Sequence, residues 1–406
     1  MEYYFFFSSN VYKEIGWGPN YRQMLQVVFL LSVLKICEAP RLFPESPNSS
    51  YSLIHAEILL RHGARTPIVQ FLPRSHRGIW QCDSTEAEAS RIEAVPLVHP
   101  RRVRRIQDQR TSEFPPNCQV GDLTVEGMNE HKLLGEAFRK YLVDELHFLP
   151  EYVDPTLITA RATWFERTYR SCLSFLYGLY PPATMNEVID IVVGSQTWDV
   201  VHPMSSMCSD LDSLQKEYYN TPDFVAAHKK VLEIAEPLYT YTNTSNKTPK
   251  GTEQICDWAI TNWCNEQRLP SEITETIINE CKRFQSYFFY KINFLRGSIG
   301  AAPILREMFR LLDDSMGGSS TAKLNILSAH DSVIAYVLSA LGYSEEYGPP
   351  YASHITMQVY MKDQEPYVRF AFNGKLIPLK NQETIIPLHQ LREMLDPTLG
   401  ACPELP

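Results

Sequence analysis

The chain of 406 residues is short of the features that would assign it to several large classes of protein. It has too little positive charge for a general nucleic-acid binder: 38 Lys and Arg stand against 47 Asp and Glu, a formal net charge of -9. A polyanionic partner needs a basic face, so nucleic acid is excluded as a general ligand. Its nine cysteines form no CxxC pair and no zinc-type cluster, which argues against a structural metal. No internal repeat and no long low-complexity stretch interrupts it. A bilayer-spanning helix needs about 20 apolar residues, whereas Met24 to Leu34 (MLQVVFLLSVL) supplies only eleven. With Arg22 before it and Lys35, Cys37, Ala39 and Pro40 after it, that run reads as the apolar core of a secretory signal. Residues 1–40 are therefore set apart as a targeting region, either cleaved or retained as a short anchor.

What is present suits a globular chain with a sizeable core. Hydrophobic residues make up 44% and charged residues 21%, and the length fits one large domain or two. Asn48 (NSS), Asn243 (NTS) and Asn246 (NKT) begin glycosylation sequons, the last two in a polar run that reads as an exposed loop. Setting aside Cys37 beside the targeting segment leaves eight cysteines. Several of them are expected to pair in an oxidising lumen. Their connectivity cannot be read from the spacing alone.

Strands and helices alternate along the chain. Ile54 to Leu60 reads as a buried strand ending at Arg61, and LNIL (Leu324 to Leu327) as a second one that runs into SAHD. VDPTLITA, between Tyr152 and Ala160, suggests a strand leading to Arg161 and Arg167. Glu126 to Leu146 and Glu166 to Leu179 carry apolar residues at intervals of three and four and read as helices. SVIAYVLSALG gives a third helix that stops at Gly342. Thr356 to Tyr360 and Tyr367 to Phe372 read as strands joined by a turn at KDQEP. This order predicts an α/β fold, a mixed sheet covered by helices on both faces, with a smaller mainly helical inserted domain. The expected boundaries place the α/β core at 51–185 and 300–400 and the insertion at 186–299.

Ligands of α/β sheets bind beyond the carboxyl ends of strands. Two such ends carry reactive groups, LLRHGARTP (residues 59–67) and His330-Asp331. Gly63 and Pro67 turn the chain, which allows Arg61 and His62 to face one ligand. Guanidinium forks match phosphate oxygens, so Arg61 and Arg65 would hold a phosphate against an unprotonated His62. That imidazole could carry the phosphoryl group. Asp331, if its pKa is raised, would protonate the leaving oxygen, and His330 would contact phosphate.

These motifs carry a resemblance. RHGARTP, LTVEGMNEHKLLGEAFRKYL, RATWFERTYRSCLSFLYGLYPP and LSAHDSVIAYVLSALG resemble, in that order, the signatures of the histidine acid phosphatases, over roughly residues 53 to 400. The resemblance implies His62 as nucleophile and Asp331 as proton donor. It implies Arg61, Arg65, Arg167 (of ERT) and His330 as phosphate ligands, with no metal and no cofactor. A long insertion after RHGARTP carrying Cys82, with Cys118 just before LTVEG, is similar to the 2-phosphoxylose phosphatases of proteoglycan synthesis, and implies a Cys82-Cys118 disulfide. At PPYASHIT the chain departs from ordinary acid phosphatases, which place a cysteine after the serine.

Arg101, Arg102, Arg104 and Arg105 (PRRVRRI) have the density of a heparin-type patch and are expected to bind a polyanion such as a glycosaminoglycan chain. A solvated loop and a processing site are the competing readings. The reading of the whole is a metal-independent phosphomonoester hydrolase of the secretory lumen acting through phosphohistidine. Phosphoxylose in the glycosaminoglycan linkage is its favoured substrate, and a Golgi type II membrane location is favoured over secretion. A general secreted or lysosomal acid phosphatase is the alternative. A non-catalytic phosphate- or glycan-binding protein is disfavoured by the intact His62 and Asp331. Oligomeric state is not legible.

Overall fold

The computed structural model describes residues 37–83, 113–114, 117–181, 188–202, 207–208, 210–291 and 299–402. The apolar targeting run and Arg101, Arg102, Arg104 and Arg105 lie outside these residues. No helix among the described residues is long and apolar enough to cross a membrane.

Eight strands form one mixed sheet. In chain order they are β1 (Ser52–Arg61), β2 (Ile158–Ala162), β3 (Ile191–Val193), β4 (Leu324–Ala329), β5 (His354–Lys362), β6 (Glu365–Phe372), β7 (Lys375–Leu376) and β8 (Ile386–Pro387). Their spatial order is β3-β2-β4-β1-β5-β6-β7, with β8 also on β6. The strands β3, β2, β4 and β1 are parallel, and β5 and β6 continue antiparallel. Ala56, Ile58 and Leu60 face one side of the sheet and Leu59 the other, all at most 3% exposed. Burial on both faces is why β1 reads as an apolar run rather than an alternating one.

Helices α1 (Val125–Arg139) and α2 (Glu166–Leu179) cover one face, packing Leu134, Phe138, Phe175 and Leu179 against Ile58, Leu60 and Ile326. On the other face lie α8 (Ala302–Met316), α9 (Asp331–Ala340) and α10 (Leu388–Leu399), whose Ile304, Leu338 and Leu391 share a core with Leu59, Leu327 and Val359. The mixed sheet covered on both faces matches the sequence expectation. Between the two groups run α3 (Leu211–Tyr218), α4 (Pro222–Ile234), α5 (Glu236–Thr242), α6 (Pro249–Cys264) and α7 (Glu275–Ser286). They enclose a separate core of Phe224, Val231, Leu238, Ile255, Ile278 and Phe284. One element departs from the expected division. The edge strand β3 falls within 186–299 yet pairs with β2 in the main sheet; at three residues it was too short to show a period.

Four disulfides tie the layers: Cys37–Cys264, Cys82–Cys118, Cys208–Cys402 and Cys256–Cys281. The expected Cys82-Cys118 bond is among them. Setting Cys37 aside was an error, since it pairs across 227 residues with the helical region. The unpaired thiol is instead Cys172, buried on α2, where burial raises its pKa to about 12. Such bonding fits the oxidising secretory or extracellular environment. Asn48, Asn243 and Asn246 are exposed, and Asn243 caps α5 in the left-handed conformation.

Candidate active site

Three parallel strands end side by side and each delivers part of one site. Arg61 at the end of β1 lies in register with Ala329 at the end of β4, and the His62 amide donates to the Ala329 carbonyl at 3.1 Å. The chain then continues as His62 and Gly63 on one side and His330 and Asp331 on the other, with Asp331 opening α9. Beyond β2, Thr163 to Phe165 lead into α2, which presents Arg167 in its first turn. Arg61, His62, Arg65, Arg167, His330 and Asp331 are thereby gathered from segments up to 270 residues apart in the sequence.

Gly63 is the point of closest approach. A Cβ there would stand 2.3 Å from the Gly127 carbonyl oxygen, and one on Gly127 would stand 2.2 Å from that of Ala64. The RHGAR loop is thus pressed backbone to backbone onto the start of α1, and only glycine fits. Side chains from α1 and α2 fix the loop further. Ser171 Oγ accepts from the Gly63 amide at 3.1 Å, Glu130 Oε2 accepts from the Ala64 amide at 2.7 Å, and His131 Nε2 donates to the Arg61 carbonyl at 2.9 Å. Burial pushes His131 down to about 3, which keeps it neutral.

The histidine of the loop is equally constrained. His62 is 2% exposed, and its Nδ1 lies 2.9 Å from the Gly63 carbonyl oxygen. A carbonyl only accepts, so Nδ1 carries the proton and Nε2 is bare. Burial first, then Arg167, Arg61, Arg65 and His330, hold the ring well below its ordinary pKa. The neutral imidazole is therefore the prevailing form. His330, with Nε2 3.1 Å from Thr163 Oγ1, is lowered in the same way, by burial and then by Arg167. Its ring centroid lies 5.6 Å from that of His62.

Two of the three guanidiniums have carboxylate partners. Arg61 Nη2 pairs with Asp331 Oδ2 at 2.7 Å, donates from Nη1 to the Pro349 carbonyl and lies over the Tyr351 ring. Arg65 holds Asp257 of α6 with both nitrogens, at 2.7 and 3.3 Å. Arg167 lies over Phe165 at 4.2 Å and forms no ion pair among the described residues. Burial and then the Arg65 charge lower it to about 9, still leaving it cationic at neutral pH. Asp331 departs from expectation. Burial raises its pKa, but Arg61, Arg65, the Ser332 amide and Lys282 outweigh that, and the carboxyl is lowered overall. The carboxyl is therefore ionised at neutral pH.

Sequence reasoning found the strand ends but not their supports. Glu130, His131, Ser171, Asp257, Lys282, Tyr351 and His202 went unremarked. His202 has its ring centroid 4.6 Å from His330. The available signal was weak: Asp257 and Lys282 each follow a cysteine, and Glu130-His131 sits inside a helix otherwise read for its apolar stripe.

The profile of the histidine phosphatase superfamily (branch 2) matches residues 52–373. Counting factor 60 of Dictyostelium discoideum is 25% identical over 86% of this chain and 86% of its own length. Mouse 2-phosphoxylose phosphatase 1 is 23% identical over 80% of this chain and 71% of its own. Bovine prostatic acid phosphatase is 24% identical over 63% and 69%. Among solved structures, Hafnia alvei phytase in complex with myo-inositol hexakis sulphate superposes with a TM-score of 0.61, covering 89% of this chain and 100% of that one at 16% identity. Such a likeness speaks for the fold. With the profile spanning most of the chain, the protein belongs to branch 2 of the histidine phosphatase superfamily and is a hydrolase of the histidine acid phosphatase type.

Proposed function

We propose that the site hydrolyses phosphate monoesters in two displacements without a metal. The observation that carries this reading is a buried, neutral His62 with a bare Nε2, surrounded by three guanidiniums. In the first displacement Nε2 attacks phosphorus, the P–N bond forms and the ester P–O bond breaks. The leaving oxygen takes a proton from Asp331. In the second, Asp331 accepts a proton from water as the water oxygen attacks the phosphohistidine, releasing inorganic phosphate and restoring His62. Arg61, Arg65, Arg167 and His330 hold the phosphoryl oxygens, whose charge must be stabilised throughout. Asp331 is ionised before substrate binds, so it takes up its proton from solvent as substrate binds. A phosphate dianion offsets the arginine charges that keep the carboxyl acidic, and its pKa rises.

Within this class the favoured substrate is 2-phosphoxylose of the glycosaminoglycan-protein linkage, in a Golgi lumen and with the chain held by its N-terminal segment. Support comes from the similarity to mouse 2-phosphoxylose phosphatase 1, the disulfide closing the insertion after RHGARTP, and the arginine-rich run 101–105 as a polyanion contact. The test is phosphate release from a phosphoxylose-containing linkage oligosaccharide beside lysophosphatidate, inositol phosphates and a phosphotyrosine peptide. A marked preference for the oligosaccharide supports the assignment. Equal turnover of all four points to a general acid phosphatase, secreted or lysosomal, instead.

A further inference from the structure

The Cys256–Cys281 disulfide clamps α6 to α7 with the two Cα atoms 5.0 Å apart. The next residue on each helix is charged and buried: Asp257 at 5% exposure and Lys282 at 2%. Asp257 is matched by Arg65. Lys282 is not matched, for among the described residues its ammonium makes no ion pair and no hydrogen bond. Lysine is almost never so deeply buried unless paired.

The surroundings of Lys282 are those of the site just described. Its carbonyl accepts from the Gly348 amide at 3.3 Å, and the neighbouring Pro349 carbonyl accepts from Arg61. Burial, then the Arg61 and Arg65 charges, bring its pKa down to about 7 against the opposing pull of Asp331 and Asp257. The backbone contact through Gly348 and Pro349 thus sets Lys282 beside Arg61, the guanidinium that pairs with Asp331 at 2.7 Å. Lys282 therefore belongs to the Asp331 side, where the leaving oxygen is protonated.

We propose that Lys282 is a specificity-determining residue whose ammonium donates to an oxygen of the leaving group, selecting phosphate esters of polyhydroxylated alcohols over apolar alcohols of equal size. The inference rests on the phosphomonoesterase reading above. A second anionic group on the substrate would meet Asp257 and Asp331 on the same side. A hydroxyl instead accepts from Lys282 and donates to a carboxylate, whose oxygens have lone pairs beyond those used by arginine. Lys282 is thus a donor in need of an acceptor, and a polyol supplies one.

Glycerol 3-phosphate and propyl phosphate form the matched test, since both leave as alkoxides and both need the Asp331 proton. The wild-type protein should favour glycerol 3-phosphate in kcat/KM by roughly ten- to a hundredfold, the range of a hydrogen bond to a charged group. In Lys282→Met the preference should collapse towards one, and Lys282→Arg should keep part of it. Removing an unmatched buried charge should also leave the melting temperature of Lys282→Met equal or higher. The proposal is overturned if the wild type shows no preference, or if Lys282→Met slows both esters equally and melts lower, the mark of a structural lysine. Wild-type protein that releases phosphate from neither ester contradicts the phosphatase reading itself.

Discussion

Replacing Gly127 with alanine probes how the site is positioned without touching any charged group. The new Cβ would stand 2.2 Å from the Ala64 carbonyl oxygen and 2.7 Å from its amide nitrogen, where real Cβ contacts stay beyond 3.0 Å. The shortfall is about 0.8 Å against the oxygen and about 0.3 Å against the nitrogen, both backbone atoms of Ala64, so no side chain can swing away to absorb it. Either α1 or the His62 loop must move, and Ala64 is two residues from His62. A displacement near 1 Å at a reacting group costs about a hundredfold in rate, equivalent to roughly 2.7 kcal/mol of activation free energy. Overpacking of this kind also removes about 1–3 kcal/mol of stability. The assay is kcat/KM on an aryl phosphate at a temperature well below the melting transition, with melting measured in parallel. Gly400→Ala is the control, because its Cβ meets its nearest neighbour at 3.6 Å, and it should leave rate and melting almost unchanged. Gly127→Ala with wild-type rate and wild-type melting would refute the claim that this glycine contact sets the nucleophile's position.

Two further outcomes follow from the buried acids. Sulfate stays fully dianionic at pH 5, so any proton taken up on its binding belongs to the protein; calorimetry in buffers of different ionisation enthalpy should show uptake in the wild type and none in Asp331→Asn, and no uptake in either would contradict the substrate-linked protonation of Asp331. Glu130 is raised by burial from 4.5 to about 8, so the folded state binds its proton more tightly than the unfolded chain. Its contribution is fully present below pH 4.5 and fades as pH rises through about 8, at up to about 1.4 kcal/mol per pH unit. Denaturant titrations of Glu130→Gln should show a flatter fall in stability over that window, and an unchanged slope would count against the assignment.

Much of the fold was legible because it rests on local pattern. The buried strand ending at Arg61, the LNIL strand before His330 and the helices after each carry their period in a handful of residues. The convergence of Arg61, His62, Arg65, Arg167, His330 and Asp331 was also legible, because RHG, ERT and HD occur at strand or helix ends, where the chain has few other reasons to put such groups. The supports were hidden for a physical reason: Glu130, His131, Asp257 and Lys282 lie on helices, where a charged residue normally marks the solvent face. Only the packing of α1 onto the His62 loop and the clamp at Cys256–Cys281 turn those positions inward. The partner of Cys37 was hidden because pairing across 227 residues leaves no local trace. The ionised state of Asp331 is a property of three neighbouring cations and could not be read from the dipeptide His330-Asp331.

The central claim is that His62 carries the phosphoryl group. Rapid-quench mapping of the protein mixed with an aryl phosphate, under conditions that preserve acid-labile phosphoramidate, tests it most directly. The account predicts phosphate on the peptide containing His62, formed at least as fast as turnover, and both its formation and phosphate release lost in His62→Ala. Turnover at the wild-type rate in His62→Ala, or phosphate trapped on a different residue, would contradict it.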